Sequence, residues 1–128
     1  MIDDMGSFRT DVTIENPARP GESLTVANVL VDTGAELSWF PGTALDALGI
    51  HRRRLVRFRQ ATGDVVERWT GVAVVGVGGT VAGDQVVFGE AGDLTLLGSR
   101  SLEGLNLVVD PVRKRLVDAG AMPAAAAA

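Results

Sequence analysis

At 128 residues, with 46% hydrophobic but only 5% aromatic content, the chain is the size of one domain whose core must come mainly from Val, Leu and Ala, and folding can bury roughly two-thirds of the surface exposed by the unfolded chain. No cysteine is present, which excludes a disulfide framework and a thiolate metal site, and one histidine cannot build a His-rich metal cluster, so carboxylates are the catalytic groups to look for. A formal net charge of -4 argues against nucleic acid as the main partner, because backbone binding rests on clustered Lys and Arg.

The start, "MIDDMGSF", carries acids where a secretory leader needs a basic region, and the expected location is cytoplasmic. In "FRTDVTI", residues 8–14, apolar Phe8, Val12 and Ile14 alternate with polar positions, as in a half-buried strand. The turn-rich "ENPARPGES" then leads into a second strand, "LTVANVLV", which ends at Asp32. This hairpin therefore feeds an acid-bearing turn, "VDTGA". From these residues alone two readings of Asp32 stay open: an Asx turn closing a strand, or a carboxylate held rigidly for catalysis.

Trp39, Phe40 and Trp69 suit core or dimer packing, and "PGTALDALGI" predicts a short helix that starts at Pro41, turns Ala44, Leu45 and Leu48 to one side and stops at Gly49. "HRRRLVRFR", residues 51–59, reads as a solvated strand face behind a basic turn, with a docking patch for acidic peptide or RNA as the sharper alternative. "RLVRFRQ" and "VVERWTGVAVVGV" flank "ATGD", residues 61–64, and predict a second hairpin. The uncharged stretch 70–83 is too short and glycine-rich to span a membrane, so no membrane association is expected, and "GVGG" lacks the spacing of a phosphate cradle. A third hairpin is expected next, with "TVAG" and "DQVVF" giving way to the turn "GEAGD". In "LTLLGSRSLEGL", Leu94, Leu96 and Leu97 suit a buried strand, Gly98 a change of direction, and Ser99–Leu105 a short helix. "NLVVD" and "RKRLVDA" bracket Pro111 as two short strands, with Asp110 as a turn residue. The expected organisation is an all-β domain over residues 1–119 with one or two short helices, followed by a low-complexity Ala-rich tail at 120–128.

Four features in this order, the hairpin into "LVDTGA", the Pro followed by "ALDALGI", the hairpin around "ATGD", and "LLGSRSL" followed by "LNLVVDP", resemble the retroviral-type, retropepsin-like aspartic proteases over residues 8–118. The resemblance implies an endopeptidase active as a two-fold homodimer, with a peptide or protein substrate and neither metal nor organic cofactor. Asp32 of each copy would meet at the axis, where two adjacent carboxylates share one proton. It further implies that Thr33 hydrogen-bonds across the dimer, and that Gly34 admits the substrate backbone beside Ala35 and Glu36. Thr62, Gly63 and Asp64 would contact substrate from a flap, and Leu97, Gly98 and Arg100 would support the site, with Arg100 a partner for Glu36. That family commonly has an arginine directly after the Gly of its "hydrophobic-hydrophobic-Gly" triplet, whereas here Ser99 intervenes before Arg100. The rival reading is a catalytically silent module of the same fold that binds peptide or dimerises. The later echo "VDAGA", residues 117–121, lacks the hydroxyl and has too few residues after it for a second lobe.

Overall fold

The computed structural model describes residues 8–124, and the two ends, 1–7 and 125–128, lie outside them together with the sequence expectations made there. β1 (Phe8–Glu15) and β2 (Ser23–Val31) form the first predicted hairpin, antiparallel from Phe8 opposite Val31 to Glu15 opposite Ser23. Its register breaks between Thr10 and Val12, where Asn28 adopts φ 57° and donates its backbone N–H to Asp11 Oδ1 at 3.1 Å. Asn tolerates that left-handed conformation better than most side chains, so the bulge sits where the sequence can host it. Beyond it, Val29, Leu30 and Val31 are all buried.

β3 (Ser38–Pro41) follows the Asp32 turn, a strand that the "SWFP" segment did not announce because it is only four residues long. α1 (Gly42–Ala47) begins just after Pro41 and ends as predicted at Gly49, whose φ of 73° permits paired closing bonds from Gly49 N–H to Asp46 O and from Ile50 N–H to Leu45 O. β4 (Arg54–Arg59) and β5 (Val65–Val77) make the second hairpin. β5 continues through a turn at Gly78 and Gly79, both with positive φ, into one unbroken strand, β6 (Thr80–Gly89). β7 comprises only Leu96 and Leu97, and α2 (Ser99–Leu105), β8 (Leu107–Asp110) and β9 (Arg115–Asp118) complete the described chain. Asp110 Oδ1 accepts the backbone N–H groups of Val112 and Arg113, the turn role expected of it.

The fold is predominantly β, with seven strands in the order β1-β2-β7-β3-β6-β5-β4 and a separate β8-β9 pair among the described residues. The far end of β5 also pairs with β1, Thr13 opposite Gly76, so the sheet curls round on itself and encloses the core. Val12, Ile14, Val29, Phe40, Leu45 and Leu97 fill that core, which is aliphatic as the composition requires. No helix among the described residues is long and apolar enough to cross a membrane.

The start of β5 behaves differently. Val65–Trp69 pair only with β4, and pairing with β6 begins at Thr70. The tip of the β4-β5 hairpin is therefore a two-stranded arm leaving the closed sheet. Its position is fixed by Trp39 of β3, whose ring lies 5.1 Å from that of Phe58 on β4 at an interplanar angle of 60°.

Leu94 departs from expectation. It is 62% exposed instead of lying in a buried strand. The cause is at Asp93, which accepts from Glu90 N–H at 2.7 Å and from Arg68 Nε at 2.7 Å; these bonds close residues 90–93 into a turn and leave only Leu96 and Leu97 to pair between β2 and β3.

Candidate active site

β7 is the element that places Asp32. Leu96 and Leu97 pair in parallel with Leu30 and Val31, while Leu96 also pairs antiparallel with Trp39, so β7 is wedged between the strands on either side of the acid. Asp32 N–H donates to Leu97 O at 2.9 Å, and the far limb of the loop is tied to α2 by Ser99 N–H to Ala35 O at 2.8 Å and Arg100 N–H to Glu36 O at 3.0 Å. Every backbone group in such a lock removes freedom from the carboxylate beside it. Within the loop, Gly34 N–H donates to Asp32 Oδ1 at 2.9 Å, leaving Oδ2 without a hydrogen bond from the described residues.

Gly98 makes this geometry possible. A Cβ there would lie 2.6 Å from Leu37 O, 2.8 Å from Leu37 C and 2.9 Å from Ala35 O. The backbone of the acid loop thus passes against residue 98 at a separation only glycine permits. Leu97 beside it is fully buried and anchors the wedge in the core.

Beneath the loop runs a buried polar chain absent from the sequence expectations. Gly98 N–H donates to Ser38 Oγ at 2.9 Å, Ser38 and Ser101 hydroxyls bond each other, and Ser101 Oγ donates to Asp84 Oδ2 at 2.7 Å. A carboxylate can only accept, so the hydroxyl protons must run from Ser38 to Ser101 to Asp84. Ser38→Ala is expected to strand the buried Gly98 N–H and cost about 1–3 kcal/mol, read as a lower midpoint in denaturant unfolding. Serine pairs 63 residues apart carry no local signal, which is why neither was foreseen.

Arg100 meets Glu36 as expected, Nη2 to Oε2 at 2.7 Å, on the surface. The intervening Ser99 only shifts the arginine by one position on the first turn of α2. An exposed pair of this kind contributes at most about 1 kcal/mol. Its value is in orienting Glu36 at the mouth of the site.

A cleft of about 500 Å³ opens at Asp32. Gly34, Ala35 and Glu36 line one side, Leu37, Trp39 and Leu96 the base, Phe58, Arg59, Gln60 and Ala61 of the hairpin the roof, and Gly92, Asp93 and Leu94 the remaining wall. The roof residues differ from those anticipated. Thr62, Gly63 and Asp64 form the exposed tip and bond mainly to their own turn, with Gly63 N–H to Gln60 O at 2.9 Å and Thr62 Oγ1 to Asp64 Oδ2 at 3.2 Å. Thr33 is exposed, and its hydroxyl has no hydrogen-bond partner among the described residues.

The wall is braced from behind. Arg68 and Asp93 form a two-bond pair, Nε to Oδ2 at 2.7 Å and Nη2 to Oδ1 at 3.0 Å, with both side chains mostly buried. The Arg68 hydrogen bond holds the Asp93 carboxyl below the usual carboxylate range, against the opposing effect of its burial. A depressed carboxylate contributes stability fully above its unfolded pKa and loses it as pH falls through the lower folded value. Asp93→Asn is therefore expected to flatten the acid side of the stability-pH curve, measured as melting temperature from pH 6 down to about pH 2. The parent should lose more stability over that range than the variant.

One comparison inside the chain separates turn from chemistry. Asp118, in "VDAGA", accepts Gly120 N–H at 2.7 Å, the same bond that Asp32 accepts from Gly34. The Asp-x-Gly triplet alone thus specifies a turn. Asp118 also lines a hollow of about 500 Å³, so what distinguishes Asp32 is the lock of β7 and α2 around it. No group of three or more His, Cys, Asp or Glu that could hold a metal ion occurs among the described residues. No protein-family model matches the chain, and no curated protein matches it.

Proposed function

We propose that this chain is an aspartic endopeptidase of the retropepsin-like kind, working as a homodimer in which Asp32 of each copy contributes one carboxylate to a shared site. The observation that carries this reading is the placement of the "DTG" turn, clamped by β7 and α2 and facing a cleft roofed by the β4-β5 hairpin. Two carboxylates a hydrogen bond apart cannot both ionise cheaply, so one keeps a proton. The ionised partner takes a proton from a water as its oxygen attacks the scissile carbonyl, and the protonated partner donates to the carbonyl oxygen. Collapse of the tetrahedral intermediate breaks the C–N bond as the carboxyl that took the water's proton passes it to the departing amine, and the other carboxylate recovers a proton from a hydroxyl of the intermediate. The cleft has room for part of a peptide, and the exposed Thr33 is free to bond its counterpart across the axis.

The alternative, a peptide-gripping module without catalysis, draws on the shared turn geometry of Asp32 and Asp118. Incubating wild type and Asp32→Asn with a diverse peptide pool at mildly acidic and neutral pH, with products read by mass spectrometry, decides between them. Cleavage by wild type alone supports the protease. Peptide retention without cleavage by either protein supports the module.

A further inference from the structure

Beside the cleft, the outer edge of β4 combines three features that the protease reading does not use. β4 ends the strand order, so its six residues present one unpaired backbone edge among the described residues. Sheet edges of this length normally pair, or are guarded against pairing. Five arginines, Arg52, Arg53, Arg54, Arg57 and Arg59, fall within nine residues of a chain whose formal charge is -4. Arg52 is engaged by Asp46 at 2.6 Å and lies over the Phe88 ring, but Arg53, Arg54, Arg57 and Arg59 form none of the ion pairs among the described residues.

The third feature is apolar. Side chains alternate along β4: Val56 and Phe58 turn inward, while Leu55, Arg57 and Arg59 are exposed. Opposite Leu55 stands Trp69, and the two are 46% and 42% exposed, an apolar step beside the cationic row. A tryptophan left half in water on a two-stranded arm gains little from the protein's own packing. It is well placed to gain from a partner's.

We propose that the β4 edge is a docking site for an extended acidic segment of a partner protein, which adds a strand to the hairpin. Backbone pairing would supply general affinity, and the outward row would set the pattern: an apolar residue against Leu55 and Trp69, then acids at alternate positions against Arg57 and Arg59. A second copy of this chain is a poor occupant, since its own edge would bring like charges together. A free strand edge offers alternating N–H and C=O groups, which match another peptide backbone and not a phosphate chain. The edge meets the cleft at Arg59, which lines both, whereas Leu55, Arg57 and Trp69 lie outside the cleft lining, so binding there is testable without catalysis. In a protease it would recruit substrates beside the cleft.

The test uses Asp32→Asn protein, so that no bound peptide is cleaved, and fluorescence anisotropy with three labelled probes. These are a Thr-rich peptide with one apolar and two acidic residues at alternate positions, the same peptide with serines for the acids, and a single-stranded RNA of similar length. The acidic peptide is expected to bind, to lose about ten-fold or more of its affinity on Arg57→Glu, and to lose much less on Arg57→Lys. Its binding is also expected to slow amide exchange across residues 54–59. An unchanged melting temperature identifies the Arg57→Glu loss as local, and the serine peptide supplies the same charge test on the parent protein. Equal binding of the acidic and serine peptides, preference for RNA, an affinity indifferent to Arg57→Glu, or no binding of the acidic peptide would each overturn the proposal.

Discussion

Asp32→Asn is expected to lower peptide cleavage by roughly a thousand-fold or more with little change in stability. The amide keeps an Oδ1 that can accept the Gly34 N–H bond, so the turn at the end of β2 has no reason to open. The clamp from Leu97 O and α2 involves only backbone and is untouched. What disappears is the ability to hold or release a proton at Oδ2. The loss should therefore fall on kcat, with the melting temperature within a few degrees of wild type, measured on any peptide that the wild type cuts. A variant that cleaves normally would assign catalysis elsewhere, and a variant that unfolds would return Asp32 to the status of a structural turn residue.

Gly98→Ala should produce the largest loss of stability among single substitutions near the site. Its new Cβ would overlap Leu37 O, Leu37 C and Ala35 O, all of them backbone atoms that no side-chain rotation can move aside. Relief requires the acid loop and α2 to separate, which breaks the Ser99 to Ala35 and Arg100 to Glu36 bonds and exposes the Ser38–Ser101 chain. Overpacking of this kind costs about 1–3 kcal/mol, and the loss of coupled buried bonds adds to it. Chemical unfolding of Gly98→Ala against Gly83→Ala makes the comparison fair, since nothing lies within 4 Å of a Cβ at Gly83. Equal stability of the two would mean that the clamp yields easily and does not fix Asp32.

The parts of this fold legible in the sequence are those governed by short-range rules. Gly49 ends its helix through the left-handed closure that only glycine takes cheaply, Gly78 and Gly79 make a hairpin turn, and the alternation of Phe8, Val12 and Ile14 marks a strand. Non-local placement was harder to read. Leu94 looks like Leu96 and Leu97 in composition, yet Arg68, 25 residues away, pins Asp93 and turns Leu94 out toward the cleft. Ser38 and Ser101 carry no signal until the strands bring them together. Gly63 marks where the β4-β5 chain reverses, whereas Phe58–Ala61 are the residues of that hairpin that line the cleft with Asp32. The echo at Asp118 shows the limit of a short motif, since the same turn bond arises there without the clamp of β7 and α2.

Mixing purified wild type with Asp32→Asn under conditions that exchange subunits tests most directly whether two copies of Asp32 form one site. If both carboxylates are required, random pairing of equal amounts leaves about a quarter of the dimers with two native acids, and activity falls to that fraction of the all-wild-type value at the same total concentration. A fall to about one half, the dilution expected when each chain acts alone, would contradict the shared dyad.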